Sequence, residues 1–174
     1  MEFRKGRISG VIVKDIIKYC DNRGLLAEVF RQDWIYDEMG KDVMPVMGYV
    51  SVTFPGVSRG PHEHIEQTDY FCFLGPSNFK IFLWDKREYS DTKGVKMVLY
   101  AGKDTPKIII VPPGVVHAYK NVGDENGWVL NFPNRLYRGW GRKERVDEVR
   151  YEQETDSIFK LDDEDNILGD EDNI

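Results

Sequence analysis

The feature that most restricts the fold is a succession of short apolar or alternating runs, each closed by a turn signal, with little helical periodicity. Gly48 to Phe54 alternates, with Val50, Val52 and Phe54 on one face and Tyr49, Ser51 and Thr53 on the other, which is the two-residue period of a strand. Phe79 to Trp84, Val95 to Tyr100, Lys107 to Val111 and Gly127 to Phe132 read as further strands. Between them stand Pro55-Gly56, Gly75-Pro76-Ser77-Asn78, Pro112-Pro113-Gly114 and Gly123-Asp124-Glu125-Asn126, residue types that fix or free φ where a chain must reverse. Many short strands at near-regular spacing predict an all-β sandwich or barrel. The charged stretch 142–149 is moderately amphipathic and predicts one short helix.

A chain of 174 residues suits one domain with a substantial core. The formal net charge of −6 is not spread evenly: of the 30 acidic residues, seven lie after Lys160, and the other 23 nearly balance the 24 basic ones. The expected organisation is a single barrel domain over 1–161 with an N-terminal extension, then a solvated, disordered acidic tail over 162–174. A nearly neutral body with clustered arginines is compatible with an anionic small ligand and offers no nucleic-acid surface. Apolar runs such as Ile108 to Val111 are far too short to span a membrane, and no secretory signal opens the chain. Cys20 and Cys72 form no CxxC pair, so two buried free thiols in a reducing cytoplasm are expected.

All three histidines fall in two segments, Gly56 to His64 and Pro112 to Asn121. His62 and His64, at i and i+2 of a strand, point to one face. His117 joins them only if the sheet closes on itself. Neither segment makes a site alone. Three imidazoles with Asp69 nearby form a donor set for a divalent transition metal, whereas a metal-free cluster offers a histidine base near neutral pH.

The two segments resemble the two cupin motifs. The second matches P-x-G-x-x-H-x-x-x-N through Pro112, Gly114, His117 and Asn121, and the first matches G-x5-H-x-H, with Asp69 where cupins usually carry a glutamate ligand. Within cupins the chain resembles the dTDP-4-dehydrorhamnose 3,5-epimerase family over roughly Asn22 to Tyr137. Arg23, Gly24, Glu28 and Phe30 match its R-G-x-x-x-E-x-F segment, and Ser51, Gly56, Val57, Arg59, Gly60 and His62 match S-x4-G-V-x-R-G-x-H. Asp85, Arg87, Ser90, Thr92 and Gly94 reproduce D-x-R-x-x-S-x-T-x-G. Four positions depart. Asn131 stands where the family has a catalytic tyrosine, Asp69 where it has a lysine, and Glu63-His64 where it has tyrosine and glutamine. R-G-x-H-x-H instead resembles nucleotide-sugar 3,4-ketoisomerases.

The resemblance implies an all-β cupin jelly-roll barrel and an isomerase for a dTDP-4-keto-6-deoxy sugar, with no cofactor. It implies His62 as base, with His117, His64 and Asp85 in the catalytic group, and Arg23, Glu28, Ser51, Arg59, Asn131 and Tyr137 against the nucleotide sugar. Residue chemistry leaves open whether Asp85 or Asp69 orients the base. Arg23 and Arg59 are the expected phosphate ligands, because guanidinium binds phosphate oxygens in pairs. A cytoplasmic homodimer is expected, its sites completed by the neighbour's N-terminal segment, since Leu25, Leu26, Val29 and Phe30 are costly to leave in water. Three alternatives remain: a metal-dependent cupin using His62, His64, Asp69 and His117, a 3,4-ketoisomerase, and a relative that binds the sugar without turning it over.

Overall fold

A computed structural model describes residues 2–39 and 43–161. The acidic stretch 162–174, expected to be a disordered tail, lies outside the described residues. The strands are β1 (Arg4–Lys5), β2 (Ile12–Asp15), β3 (Lys18–Asp21), β4 (Gly24–Ala27), β5 (Tyr49–Thr53), β6 (Ser58–Glu63), β7 (Asp69–Gly75), β8 (Asn78–Asp85), β9 (Val95–Gly102), β10 (Lys107–Val111), β11 (Val115–Asn121), β12 (Gly127–Asn131) and β13 (Val149–Arg150). A six-stranded sheet runs β1-β9-β8-β11-β6-β13 and a five-stranded sheet runs β2-β10-β7-β12-β5, while β3 and β4 form a separate hairpin. The two sheets lie face to face as the jelly-roll barrel of the cupins, the expected fold.

The burial pattern explains why several strands read as unbroken apolar runs. Between the sheets, Phe71, Phe73 and Ile109 of one meet Phe79, Ile81, Leu83 and Tyr119 of the other. Each sheet is also covered outside. Phe82, Trp84, Val116 and Ala118 are buried under Tyr151 and Phe159, and Tyr70, Cys72, Ile108 and Ile110 lie under Ile16 and Ile35. A strand covered on both faces has no polar side to present, so β8 and β10 are mostly apolar, with Lys80 buried within β8. Each large apolar side chain so buried contributes about 1.5–3 kcal/mol.

Strand β5 differs. Its apolar face, with Val50 and Val52 and continuing to Phe54 just past the strand, is exposed, while on the other face Tyr49 is exposed, Ser51 half-buried and Thr53 buried. It is the last strand of its sheet, and its polar face is the one turned inward.

Two expectations are corrected. The helix expected over 142–149 does not form; only a 3-10 turn spans Trp140–Arg142. The rest of that segment is held extended, because the Asp147 carboxylate accepts from the N–H groups of Ile65, Glu66 and Gln67 and β13 pairs with β6. The described helix, α1, spans Gln32–Met39, and it buries Ile35 against the outer face of the five-stranded sheet. Of the two cysteines, Cys72 is buried, its thiol pushed up to about 12 by desolvation, whereas Cys20 on β3 is exposed rather than buried.

Candidate active site

The site lies in an open cleft of about 600 Å³ between the sheets. Strand β6 alternates, so His62 faces the cleft while Glu63 points behind the sheet, where it accepts from Tyr151 Oη at 2.7 Å and Lys86 Nζ at 2.6 Å. His64, one residue past the strand, turns back to the cleft side. His117 on β11 is the direct register partner of His62, their ring centroids 4.3 Å apart. The ligand nitrogens of all three imidazoles lie within 4.8 Å of one another. Gly60 permits this approach: it holds φ +79°, and a Cβ there would meet the His117 carbonyl at 2.5 Å.

Asp69, at the start of β7, brings a buried carboxylate from the opposite sheet. Its Oδ2 lies 3.3 Å from His64 Nε2 and 3.4 Å from His117 Nε2. Its Oδ1 accepts from Gln67 Nε2 at 2.9 Å and from Asn131 Nδ2 at 2.7 Å. The carboxylate facing the imidazole cluster is Asp69, through His64 and His117. Asp85 is not part of the cluster. It sits at the far end of β8, bound by Arg87, Ser90 and Thr92. Burial alone would raise its carboxyl, but those hydrogen bonds hold it below the usual carboxylate range. Its D-x-R-x-x-S-x-T-x-G motif is a folded turn, so the catalytic placement of Asp85 is corrected to a structural one.

The electrostatics follow from burial. Desolvation, with His117 and His64 beside it, pushes His62 down to about 2, so it is neutral and its lone pair is available. Burial also lowers His117, against the pull of Asp69. His117 Nδ1 faces the Val115 carbonyl at 3.1 Å and His64 Nδ1 faces the Asp147 carbonyl. A carbonyl accepts only, so both Nδ1 atoms carry hydrogen and both Nε2 atoms face Asp69. His117 Nε2 is buried without a hydrogen-bond partner.

Of the expected substrate ligands, Ser51, Arg59 and Tyr137 line the cleft. Ser51 Oγ pairs with Tyr119 Oη at 3.0 Å. Arg59 is braced by Thr53 Oγ1 and the Val52 carbonyl, at 3.0 and 2.8 Å. Asn131 does not present itself to a ligand. It is buried, its Oδ1 accepts from Tyr70 N–H, and its Nδ2 donates to both Asp69 and Tyr49; its role is to hold Asp69. Arg23 and Glu28 lie outside this chain's cleft, Arg23 on the exposed hairpin against Asp21 and Glu28 against Arg31.

Cationic side chains come instead from the segment that crosses the mouth of the cleft between β12 and β13. Arg135, Arg138, Arg142, Arg145 and Arg150 all line it. Arg138 and Arg142 hold φ +60° and +61° around Gly139 and Gly141, a conformation that non-glycine residues rarely adopt. Five arginines within sixteen residues after the last long strand were the signal in the sequence, masked there by the expected helix.

No family model matches the chain. Over 132 residues it is 39% identical to the probable low-salt glycan biosynthesis epimerase Agl13 of Haloferax volcanii, an alignment covering 75% of this chain and 81% of that protein. The chain belongs to the dTDP-4-dehydrorhamnose 3,5-epimerase-like family. It is also 33% identical to the spore coat polysaccharide biosynthesis protein SpsL of Bacillus subtilis, over 75% of this chain and 82% of that one. Among solved structures, the rmlC epimerase of Mycobacterium tuberculosis superposes with a TM-score of 0.66 at 25% identity, covering 79% of this chain and 69% of its own. A dTDP sugar isomerase from Desulfovibrio desulfuricans G20 shares the fold, with a TM-score of 0.72 at 19% identity over 85% and 87% of the two chains. The protein is thus an isomerase of the epimerase class. Within this epimerase-like family, a buried aspartate at 69 and an asparagine at 131 give the cleft a carboxylate held by an amide, where the resembled motif has lysine and tyrosine.

Proposed function

We propose that the protein epimerises a nucleotide-linked 4-keto sugar of the dTDP-4-keto-6-deoxy class, with His62 removing the proton next to the ketone. The observation that carries this reading is the imidazole cluster on one wall of the cleft facing a buried carboxylate on the other, beneath a rim of arginines. His62 lines the cleft and is the imidazole that the resembled motif places as base. Once it accepts a proton, the positive charge on the cluster is stabilised by Asp69, which is too deeply buried to be screened by water. Arg59 and the arginines between β12 and β13 supply the cations that a sugar diphosphate needs. Incubation with dTDP-4-keto-6-deoxyglucose in deuterated water, followed by proton NMR, tests the reading: deuterium should enter at a carbon next to the ketone. No incorporation across a panel of such sugars by folded protein would refute it.

The reading includes a cytoplasmic location and a homodimer. No described helix is long and apolar enough to cross a membrane. The outward face of β5, with Val50, Val52 and Phe54, is exposed on an unpaired sheet edge, and a second copy would cover both. In such a dimer Arg23, exposed on its hairpin, would serve the neighbour's cleft.

One observation favours a second reading, a bound divalent transition metal. His117 Nε2 is buried without a hydrogen bond, and Nδ1 of both His64 and His117 faces a backbone carbonyl, the arrangement that orients imidazole ligands. With Asp69 and His62 these residues fit such an ion, which when bound would act as a Lewis acid on a substrate oxygen. Elemental analysis of untagged protein decides: stoichiometric metal, lost on replacing His64, supports this second reading, and metal-free protein of unchanged stability rejects it.

A further inference from the structure

We propose that Tyr49 is the proton donor that acts on the face of the sugar opposite His62. The role rests on the epimerase reading above. Inverting a carbon next to a ketone takes two groups, a base that removes a proton from one face and an acid that delivers one to the other. His62 belongs to the six-stranded sheet, so the donor must come from the five-stranded wall across the cleft.

Most of the polar side chains described on that wall are committed. Asp69 is the counter-charge to the imidazoles and accepts from two amides. Asn131 uses both of its amide hydrogens. The Ser51 hydroxyl is paired with Tyr119. Tyr49 differs. Its hydroxyl oxygen accepts from Asn131 Nδ2 at 2.9 Å, and no described residue accepts its hydrogen. Tyr119 is no substitute, because it stands on β11, in the same sheet as His62.

The position of Tyr49 follows from the ladder. Tyr49 on β5 is the register partner of Asn131 on β12. That pairing brings the phenol into the lining of the cleft beside the Asn131 amide. Desolvation, opposed by the Asn131 hydrogen bond and reinforced by Asp69, pushes the Tyr49 hydroxyl up to about 12. It is therefore protonated at neutral pH.

The step balances as follows. His62 takes the proton from the carbon beside the ketone, and the C–H electrons move into the ring to give an enolate and an imidazolium. The enolate electrons then form a new C–H bond on the opposite face with the Tyr49 hydrogen, the ketone returns, and Tyr49 is left as phenolate. Water removes the His62 proton and supplies one to Tyr49.

The test is Tyr49→Phe in the full-length protein, assayed in deuterated water for incorporation next to the ketone and, separately, for inverted product. Circular dichroism and dTDP binding check that the variant is folded and loaded. His62 still removes and returns a hydrogen on its own face, so deuterium incorporation should remain within several-fold of the unaltered protein. Inversion at that carbon should fall by ~100-fold or more. Inversion at the unaltered rate overturns the assignment, as does an equal loss of incorporation and inversion in folded, nucleotide-binding protein. No incorporation by the unaltered protein overturns the epimerase reading and this role with it.

Discussion

Asp69 Oδ1 lies 2.7 Å from Asn131 Nδ2, so an amide on β12 holds the carboxylate that faces the imidazoles. This contact unites two positions at which the chain departs from the resembled motif. A carboxylate in place of a lysine, and an amide in place of a phenol, form one unit. Asp69→Asn keeps the shape and removes the charge that stabilises a protonated cluster. Proton exchange should fall ~100-fold or more, while dTDP affinity, set at the rim of the cleft, stays within about threefold. Isotope exchange and calorimetric titration on one preparation check both.

Asp85 should behave as a structural residue. Its side chain is fully buried and accepts from Arg87, Ser90 and Thr92. Asp85→Asn should cost about 3 kcal/mol of stability at pH 7 without changing exchange per folded molecule. Its folded pKa is depressed, so the stabilisation is present above the unfolded value of ~3.9 and is lost as pH falls below it. Urea denaturation from pH 7 to pH 2 should show the gap between the two proteins closing below about pH 4. A gap that is constant with pH would contradict this.

The rim should carry nucleotide affinity. Arg142 and Arg145 line the cleft and are exposed. Replacing both with alanine should weaken dTDP binding by ~10–100-fold, about 1.5–3 kcal/mol for charge-assisted contacts. Exchange at saturating sugar should remain. Unchanged affinity by calorimetry would remove these arginines from the site.

The β5 edge should govern assembly. Val50 and Val52 are 56% and 40% exposed, so charging them leaves the fold intact and places repulsion across an interface between copies. Val50→Asp with Val52→Asp should shift the protein from dimer to monomer by light scattering, and should weaken dTDP binding if Arg23 of a second copy contributes. A monomer in the unaltered protein, with normal affinity, would contradict the dimer.

The parts of the structure legible in the sequence are those fixed by local pattern. Strand alternation and turn residues show a barrel, and the i, i+2 spacing of His62 and His64 shows which face they share. The placement of Asp69 over Asp85 was not legible, because it depends on which strand lies across the cleft. The same is true of Tyr49: its pairing with Asn131 joins residues 82 apart in the chain. The segment 142–149 misled for a physical reason. Its charge pattern suits a helix, but Asp147 finds three backbone N–H groups at residues 65–67, and no local signal announces those partners. Arg23 read as a site residue by resemblance, and within one chain it lies on an exposed hairpin away from the cleft.

The central claim is that His62 removes a proton next to the ketone of a nucleotide-linked sugar. Its most direct test compares the unaltered protein with His62→Asn in deuterated water with dTDP-4-keto-6-deoxyglucose, following deuterium at each ring carbon by NMR. The account predicts rapid incorporation next to the ketone by the unaltered protein and a loss of ~1,000-fold in His62→Asn, with dTDP still bound. Incorporation at the same rate in both proteins, or in neither, would contradict it.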